Sequence, residues 1–206
     1  MRRTAVLFSF LVLSVVSGAV AQPTISVRGN VGAAFFQSPE GLNNILNSGV
    51  DLGLGAGVQL YGGLELVLQG SYDRFTMNGD NVALLSEGLD VRSEIEGGAL
   101  NVLSGTIGFR YILRNPSDAH PYVSGGIGLY QSVLEEAFSE EDEIFQRLVA
   151  TRKGYYMAIG TNFRIDDTYA VFFEPRLVII DTNGSELNTP TSTRYATLLL
   201  GLKVQL

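Results

Sequence analysis

The sequence predicts an all-β fold, a closed antiparallel transmembrane β-barrel whose eight strands follow an up-and-down meander. The 206-residue chain is 46% hydrophobic, yet past its first residues it has no apolar run near the roughly 20 residues that a membrane helix needs. Apolar and polar side chains instead alternate in eight stretches, with the period of two that is typical of a β-strand. The connections between the stretches are alternately long and short, as in barrels that cross a membrane with their turns on one side.

The N-terminal segment predicts export. Arg2 and Arg3 precede a largely apolar run from Ala5 to Val16, and Ala19-Val20-Ala21 supplies small residues for a cleavage site. We therefore expect residues 1–21 to be a signal peptide and residues 22–206 to form one barrel domain. An uncleaved N-terminal anchor is the alternative.

Each alternating stretch has about the length that a tilted strand needs to cross a bilayer. In chain order the stretches are residues 24–35, 50–60, 64–75, 100–113, 121–132, 154–165, 169–180 and 196–206. Their polar faces carry, in the same order, Ser26 and Arg28, Asp51 and Gln59, Glu65 and Asp73, Ser104 and Arg110, Tyr122 and Ser124, Asn162 and Arg164, Glu174 and Arg176, and Thr197 and Lys203. We expect these faces to share one side of the sheet.

The size of the side chains decides which face points inward. The polar face is rich in Gly, Ser and Ala, whereas the apolar face carries Leu, Ile, Phe and Tyr. An eight-stranded barrel has an interior just wide enough for side chains, so the face with small residues belongs inside and the bulky face in lipid. A soluble barrel of the lipocalin type, with the apolar face inside, is the rival fold. Aromatic residues near both ends of the apolar face predict two interfacial belts.

The last stretch shows the sharpest alternation, with apolar residues at every even position from Ala196 to Leu206. This segment resembles the C-terminal strand of bacterial outer-membrane β-barrels, which the barrel-assembly machinery of that family reads. The whole of residues 22–206 resembles the eight-stranded outer-membrane barrels of the OmpA/OmpX type, here the barrel only, without a periplasmic domain. The resemblance implies a monomer in the outer membrane of a Gram-negative-type bacterium, with outer-membrane lipid and lipopolysaccharide as partners.

Little in the sequence indicates catalysis. The chain has no Cys, so it has no disulfide, thiolate metal site or thiol nucleophile. His120 is the single histidine, so no second histidine is present for a metal site. It is assigned to a short turn, whereas an outer-membrane lipid hydrolase would need its Ser and His near the outer-leaflet side. The formal net charge of −7 argues against nucleic acid as the main partner. We predict no catalytic residue, no metal ligand and no cofactor, and therefore no enzyme.

Charged residues on the inner face form the candidate site. Such groups must be paired or hydrated when they are buried. We hypothesise that they form a structural network that plugs the lumen, with Glu174 at its centre. The members are Arg28, Glu65, Arg110, Arg164, Glu174, Arg176 and Lys203.

The long connections leave two functions open. One is a structural or surface-interaction role through long extracellular loops. The other is a small transporter or binder of apolar molecules that uses a vestibule formed by the loops. The third long connection contains six acidic residues between Glu135 and Glu143, which predicts either a solvated loop or a weak site for Ca²⁺ or Mg²⁺. A capping pattern at Ser139 predicts a short helix over about residues 140–149.

Pro175 lies in the middle of the seventh stretch, on its apolar face. Proline cannot donate to a β-ladder, and a closed barrel has no edge strand that would tolerate it. We therefore predict a bulge or a missing hydrogen bond beside Pro175.

Overall fold

The computed structural model describes residues 24–38, 46, 48–76, 95–97, 99–135, 137–139, 142–145, 148–181 and 192–206. The predicted signal peptide lies outside the described residues. Within the described part of the chain, no helix has the length and apolar character needed to span a membrane.

The described residues form eleven β-strands. Eight of them close into an antiparallel barrel, in which neighbours along the chain are neighbours in the sheet, and β4, β7 and β8 form a separate small sheet. The predicted fold class and all eight predicted barrel strands are confirmed. The strands are β1 (Ile25–Ser38), β2 (Gly49–Tyr61), β3 (Leu64–Thr76), β4 (Ile95–Gly97), β5 (Ala99–Ile112), β6 (Ala119–Leu134), β7 (Ala137–Ser139), β8 (Asp142–Phe145), β9 (Leu148–Arg164), β10 (Tyr169–Ile180) and β11 (Thr193–Gln205).

The first and last strands close the barrel. Val27 of β1 is paired with Val204 of β11 on one side and with Ala56 of β2 on the other. Because every barrel strand has two neighbours, the sheet has no edge whose backbone groups would lack partners in lipid. The sharply alternating C-terminal stretch is therefore required for closure.

The faces of the barrel have the predicted orientation. Leu54 and Ile127 point outward and are 71% and 67% exposed, whereas Arg110 and Glu174 point inward and are buried. A lipocalin-like barrel would show the reverse, so that alternative is excluded. The outward aromatic residues of the expected belts are Phe35, Phe109, Tyr111, Tyr155, Phe163 and Tyr169.

The two ends of the barrel differ in their connections. The turn between β2 and β3 consists of Gly62 and Gly63, and Gly62 has a φ of 56°, a left-handed conformation that glycine adopts without strain. Short connections also join β5 to β6 and β9 to β10, and we name this the turn end. The opposite end, with the long connections, is the loop end. His120, predicted in a turn, is instead the second residue of β6, because this strand begins closer to the turn than its apolar pattern shows.

The predicted helix over residues 140–149 is wrong. Residues 142–145 form β8, and Leu148 and Val149 begin β9. The antiparallel pairing of β6 with β9 continues up to Leu134 and Leu148, so the hairpin ladder overrides the local helical pattern. Residues 148–151 are all exposed, which shows that this part of the hairpin stands clear of the barrel wall.

The prediction at Pro175 is confirmed. The ladder between β10 and β9 runs from Phe173 opposite Thr161 directly to Arg176 opposite Ala158, so the pairings of Glu174 and Pro175 with β9 are missing. On the β11 side the ladder is continuous, with Pro175 opposite Leu198. The register is the same before and after the gap, so the proline interrupts the ladder without a bulge.

Candidate functional site

Glu174, in the middle of β10, has no exposed surface and lies at the centre of the charged lumen. Its Oε1 accepts hydrogen bonds from Arg176, with Nε at 3.0 Å. Its Oε2 accepts a hydrogen bond from the Tyr122 hydroxyl at 2.7 Å and one from Arg110 Nη2 at 3.4 Å. Arg28 Nη1 lies 3.5 Å from the same oxygen. Three guanidinium groups from three strands therefore surround one carboxylate.

Glu65, on β3, forms the second anionic centre. Its Oε2 accepts a hydrogen bond from Arg110 Nη1 at 3.0 Å. Its Oε1 accepts hydrogen bonds from Lys203 Nζ at 3.1 Å and from Ser26 Oγ at 2.6 Å. Because Arg110 donates to both Glu65 and Glu174, its guanidinium joins the two centres across the lumen.

Aromatic rings fill the space around the guanidinium groups. The guanidinium carbon of Arg28 lies 3.9 Å from the ring centroid of Phe172, and that of Arg110 lies 4.9 Å from the centroid of Tyr122. Arg28 Nη2 also donates to Asn162 Oδ1 at 2.5 Å. Cation–π contacts of this kind are attractive when the groups are desolvated, so the cations are held by rings as well as by carboxylates.

Glycines on the inner face make room for this network. A Cβ at Gly57 would overlap the carboxylate of Glu65, and a Cβ at Gly160 would overlap the ring of Tyr122. The large polar side chains and the small residues facing them thus fit together, which explains why the inner face is rich in glycine.

Six of the seven residues predicted for the lumen lie together, and Arg164 does not. Arg164 is the last residue of β9, its side chain is 47% exposed, and it pairs with Asp118 at 2.9 Å. Its position in the alternation is correct for the inner face, but the strand ends there and the lumen opens to solvent. Within the network, Lys203 contacts Glu65 and not the central Glu174.

A buried pair of acidic residues lies closer to the loop end. Asp51 of β2 and Asp73 of β3 are directly opposite each other, and both are buried. Asn30 Nδ2 donates to Asp51 at 2.6 Å, and the Tyr195 hydroxyl donates to Asp73 at 2.9 Å. The hydrogen-bond donors to this pair are thus a neutral amide and a neutral hydroxyl.

An apolar cluster lies at the loop end of the lumen. The ring of Phe75 lies between those of Phe36 and Tyr195, with centroid separations of 5.6 and 5.5 Å and edge-to-face geometry. Buried residues from the neighbouring strands and from the first long connection pack around these rings, and we name the whole set the apolar cap. Its other buried members are Ala34, Leu46, Val102, Tyr130, Tyr156, Ala158, Val178 and Ile180.

The sequence contained a signal for the apolar cap that the predictions did not use. Phe75 continues the inward alternation of Glu65 and Asp73, and Ile180 continues that of Glu174 and Arg176. Following each inward face past its last polar residue would have identified these side chains. The acid pair was harder to find, because the pairing of Asp51 with Asp73 depends on the register between two strands.

The acidic run of the third long connection lies almost entirely outside the described side chains. Of its members only Glu135 has a described side chain. Its carboxylate accepts a hydrogen bond from Asn101 at 2.6 Å and lies 3.5 Å from Arg74. Among the described residues, no group of three or more His, Cys, Asp or Glu side chains is placed to hold a metal ion. The expectation of a divalent-cation site stays a prediction.

Removing one carboxylate of this acid pair should affect the stability of the barrel differently from removing an ordinary buried carboxylate. Asp73→Asn removes one of two opposed buried carboxyl groups, and the new amide oxygen can still accept from the Tyr195 hydroxyl. We expect the free energy of unfolding to stay within about 1 kcal/mol of wild type or to rise. Urea titration of protein folded into lipid vesicles measures this, and a loss of more than about 2 kcal/mol would show that Asp73 is needed as an anion.

The comparisons with solved structures show the fold. Neisserial surface protein A (NspA) has 15% sequence identity at a TM-score of 0.56, over 89% of this chain and 99% of that protein. The outer membrane protein OprG from Pseudomonas aeruginosa has 14% identity at a TM-score of 0.54, over 89% of this chain and 96% of OprG. Ail, the attachment invasion locus protein of Yersinia pestis, was solved with the heparin analogue sucrose octasulfate. It has 12% identity at a TM-score of 0.52, over 90% of this chain and 100% of Ail.

No protein-family model and no curated protein matches the chain. The solved structures are eight-stranded outer-membrane barrels, and they share with this chain the number of strands and the extent of the barrel. The apolar outer wall and the polar inner face described above fit the same environment. The chain therefore has the fold of the eight-stranded outer-membrane β-barrels.

Proposed function

We propose that this protein is a non-enzymatic outer-membrane barrel with a plugged lumen, which acts structurally or through surface interactions at its loop end. The observation that supports it best is the enclosure of Glu174 by three guanidinium groups. A buried carboxylate with three cationic partners fixes side chains from opposite sides of the barrel, and a wide aqueous path would have to break these contacts. The apolar cap supports the same proposal, because it fills the loop end with packed rings.

The surface role is supported by the end of the β6–β9 hairpin, which extends beyond the neighbouring strand β10. Leu148 and Val149 are 64% and 55% exposed although they are apolar, and they lie beyond the point where β10 ends. Exposed apolar side chains outside the membrane wall are typical of contact surfaces. We propose this hairpin as the first place at which another surface molecule meets the protein.

The alternative is a small transporter or binder of apolar molecules. It needs a continuous apolar path, and the apolar cap would be the start of such a path. The charged residues around Glu174 and Glu65 block its continuation towards the turn end. The plugged barrel is therefore the better supported proposal.

Photo-crosslinking tests the surface role. With a photo-crosslinking amino acid in place of Val149, we expect covalent adducts at the surface of intact cells that produce the protein. The same amino acid in place of Ser117, in the turn between β5 and β6, provides the control and should give none of these adducts. Identical adduct patterns at both positions would contradict the proposed surface role.

Heat-modifiable migration tests the closed barrel in the same samples. A barrel without free edges resists unfolding by detergent until it is heated. We therefore expect the unheated protein to migrate differently from the boiled protein and to fractionate with the outer membrane. Recovery in the soluble periplasmic fraction would contradict the membrane assignment.

A further inference from the structure

A polar cavity opens at the turn end of the lumen and has a volume of about 530 Å³. We name it the turn-end mouth, and residues of the strand ends and of the turns line it. Most of these side chains are polar, and the charged ones are Arg114, Arg164, Asp166, Asp167 and Lys203. The cavity lies at the opposite end of the barrel from the apolar cap. It therefore suits a polar ligand and not an apolar one.

The charged network forms the floor of the turn-end mouth. Asn162 lines the mouth, is buried, and accepts a hydrogen bond from Arg28 Nη2 at 2.5 Å through its Oδ1. Lys203 lines the mouth as well, and donates from Nζ to Glu65 Oε1 at 3.1 Å. A ligand in the mouth would therefore lie against the ion pairs of the lumen without passing through them.

The network beside the mouth carries more positive than negative charge. Its ion pairs join two carboxylates, Glu65 and Glu174, to four cations, which are Arg28, Arg110, Arg176 and Lys203. In addition, the Nε groups of Arg28 and Arg110 are buried without a hydrogen-bond acceptor among the described residues. The interior is therefore short of anionic acceptors next to the mouth. A cavity with low-dielectric walls concentrates the field of such an excess at its opening.

The other buried carboxylates of the described residues do not remove this excess at the turn end. Asp51 and Asp73 are opposite each other, and Asp73 lies about 26 Å of strand away from Glu65, towards the loop end. Arg176 reaches in their direction, since it also donates to Gln69 at 2.8 Å. Even when Arg176 is assigned to the aspartates, three cations face two carboxylates beside the mouth.

Two arginines of the turn-end mouth are available to a ligand. Arg114 is exposed and forms no salt bridge with any described residue. Arg164 pairs with Asp118, but the two side chains are 47% and 75% exposed, and so exposed a pair contributes little and can exchange for a ligand. Asp166 is engaged by its own turn, because its Oδ1 accepts hydrogen bonds from two backbone nitrogens at 2.7 Å. Asp167 is exposed and is the carboxylate that would compete with a bound anion.

We propose that the turn-end mouth binds a phosphate group, either as the free ion or as part of a small phosphorylated molecule. Arg114 and Arg164 bind its oxygens from the rim, and Lys203 attracts it from the floor. Guanidinium groups bind oxyanions through paired N–H donors. The cations come from three separate segments of the chain, and a tetrahedral oxyanion can present oxygens to more of them than a planar carboxylate can. This site goes beyond the proposed structural and surface roles and does not depend on the loop end.

Isothermal titration calorimetry of the folded protein in detergent micelles tests the site, with inorganic phosphate as the probe at constant ionic strength. We expect wild type to bind one phosphate per barrel. Arg114→Gln should weaken binding about tenfold, as expected for the loss of one charge-assisted hydrogen bond. Arg114→Lys keeps the charge and should lose less. Asp167→Asn should strengthen binding by up to about fivefold, because it removes the competing anion.

Arg194→Gln is the matched control for Arg114→Gln. It removes the same charge from an exposed arginine of β11 at the loop end, so it should bind phosphate like wild type. Each changed side chain is exposed, and we therefore expect heat-modifiable migration to be unchanged in all of these variants.

Competition experiments identify the source of the phosphate group. Displacement of inorganic phosphate by glycerol 3-phosphate would identify small phosphorylated molecules as ligands, and its failure would identify the free ion. Acetate and glycerol at the same concentration should not compete. The proposal would be overturned by the absence of saturable phosphate binding, by acetate that competes as well as phosphate, or by equal losses in Arg114→Gln and Arg194→Gln.

Discussion

Glu174→Gln is expected to lower the free energy of unfolding by about 3 kcal/mol. The substitution keeps the shape of the side chain but leaves Arg28, Arg110 and Arg176 facing a neutral amide in a buried site. Removing one partner of a buried ion pair typically costs about 3–5 kcal/mol, and hydration of a barrel interior lowers that figure. Urea titration of the protein in lipid vesicles measures the change.

Glu135→Gln is the matched control for this prediction. It makes the same chemical change in the Arg74–Glu135 pair, whose side chains are 47% and 42% exposed. Exposed pairs contribute at most about 1 kcal/mol, so this variant should unfold close to wild type. If Glu174→Gln and Glu135→Gln unfold at the same urea concentration, the central role of Glu174 in the lumen is contradicted.

Phe75→Ala is expected to lower the free energy of unfolding by about 3–5 kcal/mol. Its ring has no exposed surface and contacts the rings of Phe36 and Tyr195 edge to face. Truncation of such a ring leaves a cavity that the barrel wall, fixed by its backbone ladder, cannot close.

The control for Phe75→Ala is Phe109→Ala on the outer wall, where the ring is 54% exposed and faces lipid. Lipid can occupy the space left by the ring of Phe109, so we expect a smaller loss. The same urea titration in vesicles compares the two variants. A loss for Phe109→Ala that equals or exceeds the loss for Phe75→Ala would show that the apolar cap does not stabilise the barrel.

The barrel could be predicted from the sequence because its two faces differ at every second residue over eight stretches. Leu54 and Ile127 belong on the lipid side and Glu174 on the lumen side whatever the exact pairing of strands. Strand ends were less predictable. The alternation alone put Arg164 on the lumen face and so in the predicted network, although β9 ends at this residue. The local sequence pattern alone predicted a helix over residues that instead extend the β6–β9 hairpin.

The pairing within the site depended on contacts across the lumen, which alternation cannot show. Arg110 and Glu174 lie 64 residues apart and on strands that are not neighbours in the barrel. Their contact follows from the small diameter of an eight-stranded barrel and from the length of the arginine side chain. The sequence could indicate which charged residues face inward, but not which of them meet.

The most direct test of the plugged lumen is the conductance of the purified protein in a planar lipid bilayer. The network around Glu174 and the apolar cap predict that wild type shows no steady conductance. The double variant Glu174→Gln with Phe75→Ala, which weakens both barriers, should show conducting events if it folds. A stable open channel in the wild-type protein would contradict the plug and would favour the transporter instead.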